Sequence, residues 1–265
     1  MTAYWPLNEG SGSTAADAAG SGLNLARDVI GGAWDPVLKK FGASALKWSG
    51  VVEDGHCFAY RPDTPINMGT VHSAACWVNG WDGTGGVLIG GDGSLNRFFL
   101  YVEVDHVFYS NGDVRPVPHG GLSGSHHLCV TRDGPIVRFY KDGVMLPPPD
   151  PLTVPTPMEC YSIGGFRPFW TGVVKFHGTI DDVRLWNHAL SAAQVAELFA
   201  LNPDASPEPG VSPSTGSSYL INVTMRGQGV SKIELIRAAR AAYPGIPVNA
   251  SLRAYCQAYV DSLAP

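Results

Sequence analysis

Apolar and polar residues alternate in short runs through the first two hundred positions, and the runs end at glycine, asparagine or aspartate. Period-two text sends successive side chains to opposite faces, so it predicts half-buried strands joined by turns. In "HHLCVTRDGPIVRFYKDGVML" (126–146), Leu128 and Val130 alternate with Cys129 and Thr131. RDG then turns the chain, Ile136 to Tyr140 return, and KDG turns it again. Asp-Gly pairs suit such turns because both residues tolerate positive φ. "RFFLYVEVDHVFYS" (97–110) reads as a second hairpin, turning near Asp105 and His106. "PPPDP" (147–151) marks an edge or loop, since proline cannot donate to a central ladder.

The pattern slips once in an informative place. In "FHGTIDDVRLWNHALSAAQVAELF" (176–199), Phe176, Ile180, Val183 and Leu185 cannot share one face at strict period two. The extra residue falls at Asp181–Asp182, which predicts a bulge there. A helix follows at once. Ser191 caps it, Gln194 completes a reciprocal capping box, Leu190 can staple to Val195, and Val195, Leu198 and Phe199 form one apolar stripe. The expectation is a last strand closed by a short helix that lies against the sheet and plugs the sandwich.

Composition breaks at "NPDASPEPGVSPSTGSS" (202–218), which holds four prolines, five serines and no aromatic residue and reads as an extended linker. Beyond it, "YLINVTMR" alternates like a strand. "SKIELIRAARAAYP" opens with a capping box of Ser231 and Glu234, and Leu252, Tyr255, Cys256, Tyr259, Val260 and Leu263 share a helical face. The chain thus divides into a β domain over 1–201, a linker over 202–218 and a strand-helix-helix module over 219–265. So small a module gains from docking on a partner protein or a second copy.

Charged residues are only 15% of the 265, while glycine (32) and proline (21) are abundant, as in a turn-rich β protein. A net charge of −5 without any Lys/Arg run argues against nucleic-acid binding. No apolar run approaches the length of a membrane span, and "MTAYWPLNEG" shows no secretory signal. The five cysteines, Cys57, Cys76, Cys129, Cys160 and Cys256, are widely spaced and lack zinc-ligand spacing, so reduced, mostly buried thiols are expected.

Six stretches in order resemble the laminin-G-like, concanavalin-A-like jelly-roll family. They are "YWPLNEGSGSTAADAAGSGLNL" (4–25), "FGASALKWSG" (41–50), "SAACWVNGW" (73–81), the 126–143 hairpin, "YSIGGF" (161–166) and the closing strand and helix. The resemblance covers residues 3 to about 200 and implies a mostly β fold, a two-sheet antiparallel jelly-roll sandwich with a short closing helix. Several members of the family hold calcium at one edge with acids from the opening loop and the closing strand. Carried over, that role falls on Asp17 and Asp181, with Asp182 as substitute.

Some relatives of this fold hydrolyse glycans, which needs paired carboxyl groups across the scissile bond. "VEVDHVFY" supplies Glu103 and Asp105, but Phe108 stands where a third acid of an acid-x-acid-x-x-acid pattern would fall. His126 and His127 are adjacent in a strand and face opposite ways, which suits no shared ion. Binding is the better expectation. "GGFRPFWTGVV" (164–174) carries Arg167, Phe169 and Trp170, an aromatic plate beside a guanidinium that suits a sugar ring or a protein hot spot. Trp34 and Trp81, in Gly/Asp-rich turns, are weaker candidates. The layout suggests a non-catalytic adhesion module that recognises a glycan or cell-surface ligand and is held by residues 219–265 on a larger assembly such as a phage or viral particle. It would be made in the cytoplasm and displayed outside it. A purely structural virion protein, a cell-surface adhesin with an upstream signal and a glycoside hydrolase remain open alternatives.

Overall fold

The computed structural model describes residues 1–50, 56–61, 64–91, 95, 97–153, 156–166 and 176–201. The linker over 202–218 and the strand-helix-helix module over 219–265 lie outside the described residues.

In chain order the strands are β1 (Ala3–Trp5), β2 (Thr14–Ala15), β3 (Leu25–Arg27), β4 (Gly32–Asp35), β5 (Ala45–Trp48) and β6 (Ala59–Tyr60). Next come β7 (Ile66–Gly69), β8 (Val71–Asn79), β9 (Gly86–Gly90), β10 (Arg97–Val102), β11 (His106–Asn111) and β12 (Val114–Pro118). The remainder are β13 (His126–Asp133), β14 (Ile136–Lys141), β15 (Val144–Met145), β16 (Met158–Cys160), β17 (Ser162–Ile163) and β18 (Thr179–Trp186), followed by helix α1 (Ala192–Ala200).

Every pairing among the described residues is antiparallel. One large sheet runs β15-β14-β13-β8-β18-β5-β4 with β1 also on β18, the second runs β12-β11-β10-β9-β17-β6-β3-β2, and β7 pairs with β16 in a separate two-stranded ribbon. The mostly β, two-sheet antiparallel sandwich with one short helix is the fold expected of the sequence. Inward residues of the first sheet (Ala74, Cys76, Val78, Leu128, Val130, Ile180) meet Leu88, Phe99, Val107 and Tyr109 of the second in one core. Both hairpins form as the alternation requires, and the KDG turn places Asp142 and Gly143 at φ 51° and 77°. The outermost strands are blunted. β12 carries Pro116 and Pro118, and β15 runs into Pro147, so neither edge offers a full row of donors.

The bulge falls where the pattern slips: the register of β18 against β8 shifts between Asp181 and Arg184, and Asp182 has φ 51°. Ile180 points into the core, and the extra residue returns Val183 and Leu185 to it. The same point is where β18 changes neighbour. Thr179 and Ile180 pair with β5, whereas Val183 to Leu185 pair with β1.

Helix α1 has the anticipated start: Ser191 accepts from the Gln194 N–H and the Gln194 side chain accepts from the Ser191 N–H. Its position differs from the expected plug. Val195 and Leu198 pack on Ala75, Cys129, Tyr140 and Trp186, the outer side of the first sheet, in a cluster separate from the sandwich core. Alternation explains this, because Ala75 and Cys129 face away from Ala74, Cys76, Leu128 and Val130. Cys57, Cys76, Cys129 and Cys160 are buried, as expected, and burial pushes the Cys76 and Cys129 thiols well above the usual range.

Candidate functional site

Of the three acids singled out for calcium, Asp17 and Asp181 serve the backbone and Asp182 pairs with an arginine. Asp17 Oδ1 accepts from the N–H groups of Tyr4 (3.0 Å) and Ala19 (2.9 Å), and its Oδ2 accepts from Ser21 (2.9 Å) and Leu23 (3.2 Å). This carboxylate therefore folds the glycine-rich loop onto the free edge of β1. Asp181, 2% exposed, turns to the β4–β5 loop: its Oδ2 accepts from Lys40 N (2.7 Å) and Phe41 N (2.9 Å), and its Oδ1 from Asp182 N (2.8 Å). Burial pushes Asp181 up to about 7, against these three donors, and the neighbouring Asp182 charge adds to the rise. Asp182 accepts from Arg184 Nη2 at 2.9 Å, and that guanidinium lies 4.3 Å over the Tyr4 ring.

The outermost segments are thus neighbours, as expected, since β1 pairs with β18 and the opening loop bonds to β1. The carboxylates nonetheless address different loops, and their oxygens meet N–H donors. Calcium takes six to eight oxygens. Among the described residues no group of three or more His, Cys, Asp or Glu side chains is placed to hold a metal. The donor set does not fit a calcium ion.

Arg167, Phe169 and Trp170 lie outside the described residues. The residue just before them, Phe166, is buried and packs on Phe98 with ring centroids 6.0 Å apart. This contact belongs to an aromatic face on the outer side of the second sheet. Val87, Phe98 and Phe166 form its buried floor, and the half-buried Tyr101 and Phe108 lie against them.

A local irregularity builds this face. Phe98 and Tyr101 are three residues apart and would point opposite ways in a regular strand. Register shifts on both sides of Leu100 bring them to one side, while Phe99, Leu100 and Val102 enter the core. On β11, Phe108 faces out between the buried Val107 and Tyr109. The rings then form a continuous row: Phe98 to Tyr101 5.3 Å, Tyr101 to Phe108 5.5 Å, Phe108 to His106 5.9 Å.

The β10–β11 turn fringes this row. The Tyr101 hydroxyl donates to Glu103 Oε1 (3.3 Å), His106 Nδ1 and Asp105 Oδ1 are 2.5 Å apart, and Val104 at the tip is 71% exposed. Glu103 and Asp105, weighed above as half of an acid triad, therefore occupy one exposed turn with separate partners. A row of tilted, half-buried rings edged by polar groups offers apolar contact to the face of a sugar ring. The sequence signal was the aromatic density of "RFFLYV", but only the bulge puts Phe98 and Tyr101 together. Trp34 and Trp81 are partly buried against the core, with indole N–H groups donating to Gly12 O (3.1 Å) and Thr84 O (2.6 Å). His126 bonds Asp142 and the carbonyl of Ser123, while His127 is buried against Trp77, so the two rings diverge as expected.

Among the described residues, no helix is long and apolar enough to cross a membrane. No curated protein sequence is significantly similar to the chain. A Trypanosoma rangeli sialidase shares the fold, with a TM-score of 0.52 and 16% identity over 74% of this chain, which spans 32% of the sialidase's length. The binding domain of Paraclostridial Mosquitocidal Protein 1 aligns with a TM-score of 0.50 and 9% identity, over 75% of this chain and 51% of that one. The profile of the concanavalin A-like lectin/glucanases superfamily matches residues 62–196, just over half of the sequence. Taken with the two-sheet sandwich, that match makes the chain a member of the concanavalin A-like lectin/glucanases superfamily.

Proposed function

We propose that this chain is a non-catalytic glycan-binding module that serves adhesion, and that the glycan lies on the aromatic face of the second sheet. The observation that carries this reading is the unbroken row from Phe98 through Tyr101 and Phe108 to His106. Aromatic side chains present a large, stiff apolar area at small entropic cost, which suits a ring with one apolar face and a hydroxyl edge. Arg167, Phe169 and Trp170, which follow Phe166 in the chain, we also take as ligand-binding residues on their chemistry alone.

Residues 219–265 we take as the attachment module, joining the sandwich to a larger assembly such as a phage or viral particle and so displaying it outside the cell of synthesis. The support is the layout: a sandwich, a Pro/Ser linker and a unit near the lower size limit for an independent core. A glycan array probed with the full chain tests the binding half. The expected result is a defined set of bound glycans and a loss of about tenfold or more in affinity for Tyr101→Ala with Phe108→Ala, measured below the melting temperature of the variant. An array blank for the wild-type chain would overturn the reading in favour of a purely architectural protein.

A further inference from the structure

We propose that the glycan carries free ammonium groups: an oligosaccharide of amino sugars, held by Tyr101 and Phe108 through its ring faces and by Glu103 and Asp105 through its charge. The inference rests on the aromatic-face reading above and adds the ligand's charge.

Glu103 and Asp105 flank the exposed Val104 at the end of the ring row. Among the described residues neither forms an ion pair with a lysine or arginine. Glu103 receives the Tyr101 hydroxyl, and the Asp105 carboxylate, 70% exposed, meets only His106. Burial and the adjacent Glu103 charge push the Tyr101 phenol up to about 12, so it stays a neutral donor aimed at the carboxylate. Two carboxylates beside the half-buried rings make a region of negative potential. Ring faces attract cations too, and a desolvated ammonium over an aromatic ring gains about 1–2 kcal/mol. A sugar bearing a carboxylate or sulfate would meet like charge here, and the net charge of −5 adds to that repulsion.

The test compares two ligands with the same sugar backbone, one cationic and one neutral: a β-1,4-linked glucosamine hexamer and its N-acetylated counterpart. Each is titrated calorimetrically into the full chain at pH 6 and low salt. The expected result is a preference of about tenfold or more for the free amine, erased at high salt. Within the double variant Glu103→Gln, Asp105→Asn, the ratio of the two affinities should fall to about threefold or less. Equal binding of the two hexamers, or an unchanged ratio in the double variant, overturns the charge assignment. The glycan reading then still stands if Tyr101→Ala abolishes binding of the neutral hexamer, and falls with the blank array described above. Equally tight binding of a lysine oligomer of matched charge would overturn the sugar assignment.

Discussion

Arg132 Nη1 donates to the Tyr109 hydroxyl at 2.7 Å, and this bond joins the two sheets through the core. Arg132 comes from β13 and Tyr109 from β11. The guanidinium is fully buried and makes no ion pair with a carboxylate among the described residues. Its other acceptors are the carbonyls of Thr156 (2.8 Å) and Gly134 (2.8 Å). A buried charge held by neutral oxygens depends on each of them. Tyr109→Phe should therefore cost about 1–3 kcal/mol. A double-mutant cycle with Arg132→Met should give a coupling of about 1 kcal/mol or more. Urea denaturation measures both, and additive effects would show that the bond contributes nothing.

Two buried histidines make the fold sensitive to mild acid. Burial, aided by the Arg132 charge, lowers His72 to about 3; burial, aided by Arg184, lowers His127 to about 4. Both folded values lie below the unfolded value near 6.5, so the unfolded chain binds more protons as pH falls. Their contribution is complete above about pH 6.5 and is lost downward, toward pH 4 for His127 and pH 3 for His72. The slope approaches about 1.4 kcal/mol per pH unit for each. Asp181, pushed up to about 7, takes up a proton in the folded chain over the same range and offsets about one histidine, so urea midpoints should fall between pH 6.5 and 5 with the slope of about one group. His127→Phe should flatten that fall, and a wild-type stability independent of pH in this window would contradict the assignment.

The bulge at Asp182 combines a conformational and an electrostatic requirement. Its φ of 51° favours glycine, asparagine or aspartate, and its carboxylate pairs with the largely buried Arg184. Asp182→Asn keeps the backbone preference and loses the charge, whereas Asp182→Ala loses both. The alanine variant should be the less stable by about 1 kcal/mol, with a total cost of about 3 kcal/mol or more because Arg184 is left unpaired. Equal melting temperatures for the two variants would refute the conformational part.

Asp17 should matter for folding whether or not calcium is present. Its four backbone donors lose their acceptor in Asp17→Ala, at an expected cost of about 2–4 kcal/mol. Melting curves of wild-type protein in EDTA and in millimolar calcium should superimpose. A calcium-dependent rise that disappears in Asp17→Ala would restore the metal.

What the sequence by itself determined is local. The Asp142–Gly143 turn, the Asp181–Asp182 slip and the Ser191–Gln194 box each depend on a few consecutive residues, and each forms where the pattern puts it. The alternation in β8 and β13 likewise sorted Cys76 and Leu128 inward and Ala75 and Cys129 outward. Only the tertiary structure decided which sheet face receives the helix and which loop each carboxylate bonds. Asp17 and Asp181 were expected to share one ion, yet their partners, Tyr4 and Lys40, are set by long-range packing. The aromatic face was hidden for the same reason. In "RFFLYV" the positions of Phe98 and Tyr101 depend on how β10 lies against β9, and one extra residue in a ladder reverses the face of every side chain beyond it.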